Sequence, residues 1–275
     1  LRGDKEIENV HYWDTCAPVV SWTTVRLMLI LTAELGLATQ QVDYTAAFVH
    51  ADVEKPPNYE NMTPDEQYRS SQFCEMPRGF SEPGKVLRLK KNLYGKKSAP
   101  RQWFKHLKER LEAPDVGLKQ MTDVDPCLFM SDKVICLVYV DDTLLYARNM
   151  EDINEVIEKL RNNHQMTLEV EDSVAGFLGV HVDRNEETGE ITLTQTGLID
   201  KIIEALQIDD LPAVDTPATE CLGKDPLGDP ADCAFNYSSV IGMIWYLCGH
   251  SRPDLGFACS QAARFTFQPK RSYEL

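Results

Sequence analysis

Residues 135–147, ICLVYVDDTLLYA, form an apolar stretch with two adjacent aspartates near its centre. Charged side chains are rarely buried without a partner, so this stretch limits where Asp141 and Asp142 can lie. Two like charges ~4 Å apart repel by about 4 kcal/mol at an effective dielectric constant of 20. Such a pair is stable only if it takes up protons or binds cations. Hard cations such as Mg²⁺ prefer carboxylate oxygens, so the stretch predicts a hairpin with a metal-binding tip.

Aspartate pairs also occur at ordinary turns, because Asp is a preferred turn residue. Two observations favour the metal site. The pair lies between apolar flanks, and a further isolated aspartate, Asp43, follows a strand-like run. Three carboxylates can hold two cations ~3.5–4 Å apart, an arrangement that supports in-line phosphoryl transfer. We therefore expect Asp43 to lie on a strand beside the hairpin.

Composition allows a sizeable core but does not favour a simple nucleic-acid binder. The chain has 275 residues, 43% of them hydrophobic, and a net charge of −15. Residues 85–110 nevertheless contain ten Lys or Arg and one acid, Glu109, which would suit a bound polyanion or a solvated surface. The eight cysteines show no metal-binding spacing and are expected to be reduced. No apolar stretch reaches the ~18 residues of a membrane span.

Apolar periodicity and turn residues predict helices mixed with antiparallel strand pairs, and therefore an α+β fold. Residues 54–73 are polar, contain three prolines and are expected to form a loop. Helices are predicted over 21–37, 98–113, 150–164 and 196–208 and, as a pair broken at 251–253, over 237–265. Strands are predicted over 85–90, 127–147 and 175–195, and residues 39–49 are predicted to form a strand that closes at Asp43 and leaves into a turn.

Several ordered motifs resemble those of one enzyme family. YVDD, at 139–142, resembles the Y-x-D-D motif of reverse transcriptases, and QVDYTAAFVHADVE, at 41–54, resembles their first catalytic motif in its copia-type form. LYGKKSAPRQWF, at 93–104, is similar to the LYGLKQAPRxW segment of that family. DTCAPVV, FLGVHV, DTPAT and IGMIWYL with RPDLGFA match in order and spacing. The chain thus resembles, over nearly all its length, the reverse transcriptase domain of copia-type (Pseudoviridae-like) LTR retrotransposon gag-pol polyproteins.

The resemblance implies an α+β fold of the right-hand polymerase type, in which the palm is an antiparallel sheet with helices behind it. It also implies partial fingers and a thumb or connection region. The chain is expected to be a piece of a longer polyprotein, beginning after a basic finger segment and ending before an RNase H domain. The expected parts are the fingers-to-palm approach with a helix (1–34), palm with the first catalytic motif (35–55), a fingers-like insertion and basic segment (56–98), palm with the YVDD hairpin and primer grip (99–185), and a truncated thumb or connection region (186–275).

The resemblance also assigns roles to single residues. Asp43, Asp141 and Asp142 match the catalytic aspartates that bind two Mg²⁺ ions, for which Mn²⁺ can substitute. The backbone carbonyl of Tyr44 would join the metal shell. Phe48 would clash with a 2′-OH and so select deoxynucleotides, unless it is simply a core aromatic residue. The expected nucleotide-binding residues are Ala46, Ala47, Phe48, Tyr94 and Gly95.

Nucleic-acid contacts are expected from the basic segment and from a primer grip that aims the primer 3′-OH. Phe177 could instead belong to a core strand. The implied partners are an RNA or DNA template with its primer, dNTPs, and the integrase and RNase H parts of the polyprotein, with no membrane. The implied location is intracellular, in a cytoplasmic virus-like particle or the nucleus. The expected contact residues are Lys90, Lys91, Lys96, Lys97, Arg101, Phe177, Leu178 and Gly179.

Departures from the family pattern keep two alternatives open. Lys96 and Ser98 stand where the family usually has Leu and Gln, and residues 54–73 suggest an insertion. One alternative is an inactive or domesticated fragment that binds nucleic acid or a partner without polymerising. The other is a different two-metal nucleotidyl enzyme on the same palm, such as a cyclase. The second motif and the primer-grip resemblance disfavour a cyclase, which needs neither.

Overall fold

A computed structural model describes the chain except for residues 81, 172–174, 178, 186, 209–210, 213, 219, 233–234 and 274–275. The chain divides into two compact units, Leu1–Val174 and Ala175–Leu275. The boundaries expected within the palm, fingers and thumb remain predictions. No helix in the described part of the chain combines the length and the apolar character needed to cross a membrane.

The first unit is built on a six-stranded antiparallel sheet with the strand order β4-β5-β6-β7-β1-β8. A separate two-stranded pair is formed by β2 and β3. The predicted α+β class with an antiparallel sheet is confirmed. The strands are β1 (Ala38–Tyr44), β2 (Phe73–Cys74), β3 (Leu87–Arg88), β4 (Lys119–Gln120), β5 (Leu128–Met130), β6 (Val134–Tyr139), β7 (Asp142–Ala147) and β8 (Leu168–Val170).

Five helices accompany this sheet, and their ends follow from local sequence. Ser21 accepts a hydrogen bond from the Thr23 amide at the start of the first helix, and Gly36 ends it in the left-handed conformation. The apolar faces of the helices over Ala99–Leu111 and Met150–Asn162 are buried and join one core cluster with the sheet. The helices are α1 (Trp22–Leu35), α2 (Ala47–His50), α3 (Pro64–Arg69), α4 (Ala99–Leu111) and α5 (Met150–Asn162).

The predicted strand that closes at Asp43 and leaves into a turn is confirmed, since β1 ends at Tyr44 and the chain turns at Ala46, in a left-handed conformation, into α2. One local prediction was wrong. The loop predicted over 54–73 contains α3, which is stabilised by a capping box between Thr63 and Glu66. The polar composition of this segment concealed a helix whose Thr-x-x-Glu start was readable in the sequence.

In its described residues, the second unit contains a three-stranded antiparallel sheet with the order β11-β10-β9 and three α-helices. The predicted break at 251–253 is confirmed, since a 3-10 turn over Pro253–Leu255 separates the last two helices. The elements are β9 (Ala175–Phe177), β10 (Val180–Arg184), β11 (Ile191–Thr194), α6 (Thr196–Leu206), α7 (Tyr237–His250) and α8 (Gly256–Ala263).

Candidate active site

Strand alternation separates the acidic residues from the apolar core. Side chains in a strand point alternately to opposite faces of the sheet. On β1, Val42 and Tyr44 belong to the core cluster that contains the apolar faces of α4 and α5, so Asp43 between them lies on the other face. An apolar strand can therefore carry an aspartate without burying it against the helices.

The register of β1 and β7 brings the predicted aspartates together. Asp43 lies directly opposite Asp142, and side chains of directly paired residues share one face of the sheet. Tyr139 pairs with Asp142 across the β6–β7 hairpin, which leaves Val140 and Asp141 as a two-residue loop. The amide of Tyr44 donates a hydrogen bond to the Asp141 carbonyl at 3.1 Å. Two segments almost a hundred residues apart thus meet at one end of the sheet.

The site is electrostatically unfavourable for carboxylates. The pKa of Asp43 is raised, first by burial and then by the negative charges of Asp141, Glu171 and Glu169. The pKa of Asp142 is raised by burial and by Asp141, although a hydrogen bond from Gln41 acts in the opposite direction. This repulsion indicates that the site would bind a cation favourably.

The donor set suits a hard divalent cation, since it consists of carboxylate oxygens. Among the residues that the structure describes, no group of three or more Asp, Glu, His or Cys side chains is already gathered closely enough to hold a metal ion. The aspartates are neighbours by backbone register, and their side chains would have to turn towards a bound ion. Gln41 donates to Asp142 Oδ1 at 3.3 Å and orients that carboxylate.

The hairpin loop contains an unusual backbone conformation. Val140 has a φ of 53°, in the left-handed region that β-branched residues rarely adopt. Such a conformation costs about 1–3 kcal/mol and persists only where surrounding contacts impose it. One such contact is a hydrogen bond of 2.5 Å from the indole Nε1 of Trp103 to the Val140 carbonyl oxygen.

The predicted nucleotide-binding residues lie near this loop, but Phe48 is not the exposed aromatic. Phe48 is 8% exposed, and its ring lies 4.5 Å from that of Tyr94, which is 49% exposed. The pKa of Tyr94 is raised by burial and then by Asp141 and Asp43, so its phenol is within electrostatic reach of the aspartates. Any sugar approaching this surface would meet Tyr94 before Phe48.

The backbone around these aromatics is also distinctive. Ala46 is exposed with a φ of 54°, whereas Ala47 is fully buried. Gly95 has a φ of 92°, and a Cβ there would lie 2.4 Å from the Leu1 carbonyl oxygen, so only glycine fits. The peptide groups at these positions, and not large side chains, are what this part of the site can offer to a ligand.

Most of the predicted basic contacts are exposed but already have local partners. Lys90 is exposed. Lys91 forms an ion pair of 2.8 Å with Asp52, and Arg101 forms one of 2.7 Å with Asp14. Lys97 Nζ lies 5.0 Å from the centre of the Tyr12 ring. The basic segment is therefore partly neutralised by its own surroundings.

Lys96 lies inside the first unit and not on its surface. It is 5% exposed, its ammonium forms an ion pair of 2.6 Å with Glu6, and it donates a hydrogen bond to Gln72. A buried lysine is tolerated when it is paired in this way. The position occupied by Leu in the family pattern has become a structural ion pair, so Lys96 is not available to a template.

The predicted primer-grip residues belong to the second unit. Phe177 is 1% exposed, as expected of a core strand residue. Gly179 is exposed with a φ of 70°. Leu178 lies outside the described residues. Burial of the Phe177 ring favours the core alternative for its side chain.

Sequence reasoning missed three contributors to the site: Gln41, Trp103 and Val140. Gln41 is the first residue of the QVDYTAAFVHADVE motif, and Trp103 lies in the helix predicted over 98–113, but neither pattern assigns these side chains a role in the site. The signal that could have found Trp103 is its position in the LYGKKSAPRQWF segment. No feature of the sequence indicates that a valine would adopt a left-handed conformation.

Comparison with known proteins identifies a family for this chain. A family model described as "Reverse transcriptase (RNA-dependent DNA polymerase)" matches residues 1–220. The chain belongs to this reverse transcriptase family. The resemblance inferred from the motifs is therefore confirmed at the level of the family.

Relatives in this family are transposon proteins. The chain is 27% identical over 290 residues to the retrovirus-related Pol polyprotein from transposon TNT 1-94 of Nicotiana tabacum, covering 99% of this chain and 20% of the polyprotein. It is 24% identical to the corresponding polyprotein from transposon RE1 of Arabidopsis thaliana, covering 99% of this chain and 18% of the polyprotein. The chain thus spans about a fifth of the length of these relatives.

A shorter relative and a solved structure complete the comparison. A putative transposon Ty5-1 protein of Saccharomyces cerevisiae is 26% identical over 72% of this chain and 65% of its own length. A structure of apo telomerase from Candida tropicalis matches 64% of this chain and 40% of its own, with 10% identity and a TM-score of 0.32.

Proposed function

We propose that this chain is the polymerase core of a copia-type transposon Pol polyprotein and extends a primer along an RNA or DNA template. The observation that carries the proposal is the register that sets Asp43 opposite Asp142, with Asp141 in the adjoining two-residue loop. This arrangement supplies three carboxylates at one end of a sheet, on the face away from the core helices. Membership of the reverse transcriptase family supports the same reading.

In this proposal the chain's own residues hold and aim the reacting groups. Asp43, Asp141 and Asp142, with the Tyr44 carbonyl, would hold two Mg²⁺ ions, or Mn²⁺ in their place, which when bound would neutralise phosphate charge and favour ionisation of the primer hydroxyl. Gln41 fixes the orientation of one carboxylate. The primer 3′ oxygen forms a bond to the α-phosphorus of the dNTP, the bond to the leaving oxygen breaks, and pyrophosphate departs.

Nucleotide selection would depend on an aromatic pair. The ring of Tyr94 is the exposed surface, and Phe48 supports it from below at 4.5 Å. A 2′-OH would clash with this pair, so deoxynucleotides would be favoured. Backbone amides at Ala46 and Ala47 would face the triphosphate, and the peptide at Gly95, beside Tyr94, would border the nucleotide.

The remaining partners follow from the polyprotein context. Lys90, Lys91, Lys97 and Arg101 would contact the template or primer backbone, where each cation that replaces a counterion contributes to binding. Integrase and RNase H segments of the same polyprotein, and a location in a cytoplasmic virus-like particle or the nucleus, belong to the same proposal. The relatives' names support a Pol polyprotein origin.

Primer extension on poly(rA)/oligo(dT) with dTTP and Mg²⁺ tests the proposal. We expect the wild-type chain to extend the primer and Asp141→Asn to abolish extension without loss of folded structure by circular dichroism. Asp132→Asn, which removes an equal charge from an exposed turn residue, serves as the matched control and should remain active. A wild-type chain that binds template-primer without extending it would overturn the enzymatic proposal.

The alternatives predict other outcomes of the same assay. A domesticated binding module would retain salt-sensitive template-primer binding but show no extension, and Asp141→Asn would leave binding unchanged. The ion pairs of Lys91 and Arg101 do not favour this alternative, because they reduce the positive charge that is free to bind phosphate. A cyclase would convert nucleotide in the absence of any primer.

A further inference from the structure

The hairpin that carries two of the aspartates is held by a tryptophan from a neighbouring helix. Trp103 lies on the buried face of α4 and is 1% exposed. Its Nε1 hydrogen bond to the Val140 carbonyl oxygen, at 2.5 Å, reaches a residue 37 positions away in the chain. A buried indole N–H normally requires a partner, and this one finds it in the loop next to Asp141.

The loop itself does not favour the conformation that it adopts. Two-residue hairpin loops use left-handed φ values, and the position with positive φ is usually occupied by Gly, Asn or Asp. In this hairpin Val140 occupies that position, with a φ of 53°. A β-branched side chain disfavours this region, so the conformation must be imposed from outside the loop.

Trp103 also contacts the other segment that carries an aspartate. Its ring meets that of Tyr44 edge-on, with ring centroids 5.2 Å apart and an interplanar angle of 64°. Tyr44 follows Asp43 directly, is fully buried, and donates its amide hydrogen to the Asp141 carbonyl. One side chain thus touches both the strand with the first aspartate and the loop with the second.

We propose that Trp103 is a positioning residue, which holds Val140 in its left-handed conformation and thereby sets the Asp141 and Asp142 carboxylates relative to Asp43. Only the predicted effect of Trp103 on the rate of primer extension rests on the proposed polymerase function. The structural effect of Trp103, the conformation of the loop over 139–142, can be measured without any catalysis.

Trp103→Phe removes the N–H donor and keeps an aromatic ring in the core. We expect amide exchange in peptides covering 139–143 to become about tenfold faster, as an opening of the loop costs less free energy. We also expect kcat for primer extension to fall by about tenfold or more with little change in the KM for dNTP, since orientation and not binding is lost.

A second variant relieves the backbone strain at Val140 and separates positioning from packing. In Trp103→Phe/Val140→Gly the loop no longer needs an external constraint on a β-branched residue, because glycine adopts positive φ freely. The double variant should recover slow exchange at 139–143 and at least half of the lost kcat. A purely packing role would give no such rescue, since glycine adds no atoms to fill the space left by the indole.

Phe129→Leu is the matched control for general loss of core packing. Phe129 is fully buried on β5, where it pairs with Cys136 and not with a residue of the 139–142 loop. Its variant should lower thermal stability as much as Trp103→Phe while leaving exchange at 139–143 at the wild-type rate. Equal exchange at 139–143 in Trp103→Phe and wild type would overturn the positioning role even if primer extension by the wild type stands. Fast exchange in Trp103→Phe together with an inactive wild type would instead refute the polymerase proposal alone.

Discussion

Asp142→Asn should stabilise the metal-free protein even though it removes a proposed catalytic group. The carboxyl of Asp142 has a raised pKa because it is partly buried and lies near Asp141 and Asp43. Asparagine has the same shape and can still accept the hydrogen bond from Gln41. The substitution therefore removes the charge and little else.

The size of the effect follows from the strand register. Directly opposite residues have Cβ atoms ~4.5–5.5 Å apart, and two charges ~5 Å apart at an effective dielectric constant of 20 repel by about 3 kcal/mol. Asp43 and Asp142 are only partly buried, so solvent screening reduces this to roughly 1–2 kcal/mol. For a unit of this size, such a gain in the free energy of unfolding raises Tm by about 2–8 °C.

The pH dependence has a definite sign. A carboxyl whose pKa is higher in the folded state than in the unfolded state is protonated in both states at low pH. Under those conditions its charge does not lower the free energy of unfolding. Its cost develops as pH rises above the ordinary value of 3.8 and is complete above the raised folded pKa. The stability advantage of Asp142→Asn should therefore be absent near pH 3 and present in full near pH 7.

Thermal unfolding followed by circular dichroism in EDTA, between pH 4 and pH 7.5, measures this advantage. Asp132→Asn is the control, because it removes a charge from an exposed turn. Adding Mg²⁺ should raise Tm of the wild type more than that of Asp142→Asn, since a ligand stabilises the state that binds it. A variant that is less stable than wild type at pH 7 in EDTA, or equally stable at all pH values, would refute the electrostatic reasoning.

Three further outcomes test other parts of the site. Phe48→Ala and Tyr94→Ala should both admit ribonucleotides, measured as the ratio of kcat/KM for dTTP and UTP; an unchanged ratio in Phe48→Ala would remove its supporting role. Lys96→Met should lower the free energy of unfolding by about 3–5 kcal/mol in urea titrations, because it removes the cation that pairs with Glu6 in a largely buried site and leaves the carboxylate only the Lys97 amide. Adding Glu6→Gln should restore most of that loss, and a loss below about 1 kcal/mol in the single variant would contradict the pairing. Burial lowers the pKa of His106 to about 4, so the free energy of unfolding in urea titrations should fall by an amount on the order of 1 kcal/mol as pH falls from 6.5 towards 4. His106→Gln should flatten that fall, and an unchanged pH dependence in this variant would contradict the assignment.

The sequence predicted the convergence of the aspartates because both segments carry strong local patterns. The strand-like run before Asp43 and the apolar flanks of Asp141 and Asp142 indicated strands, and the resemblance of the motifs to a known family indicated that these strands belong together. The buried faces of α4 and α5 were equally predictable, since helical spacing marks them.

The misplaced residues were decided by long-range contacts. Lys96 reads as a surface cation until Glu6, ninety residues earlier, is found beside it. Phe48 reads as an exposed gate until Tyr94 covers it, and the left-handed conformation of Val140 depends on a tryptophan from another element. The residues adjacent in sequence do not indicate which distant residues will be their partners. The capping box at Thr63 is different, because that signal was local and was outweighed by the prolines around it.

The alternation along β1 has a consequence for how copies of such a gene decay. A substitution of Asp43 leaves the strand and its core contacts in place, so such a copy still folds. Insertion or deletion of one residue within β1 would instead turn Val42 and Tyr44 away from the core and Asp43 towards it, because every side chain changes face. Selection for folding alone would therefore preserve the number of residues in the strand. Only selection for activity would preserve the carboxylates. Among diverged copies, an unchanged number of residues in β1 indicates that the protein still folds. An aspartate at the position of Asp43 indicates that it is still active.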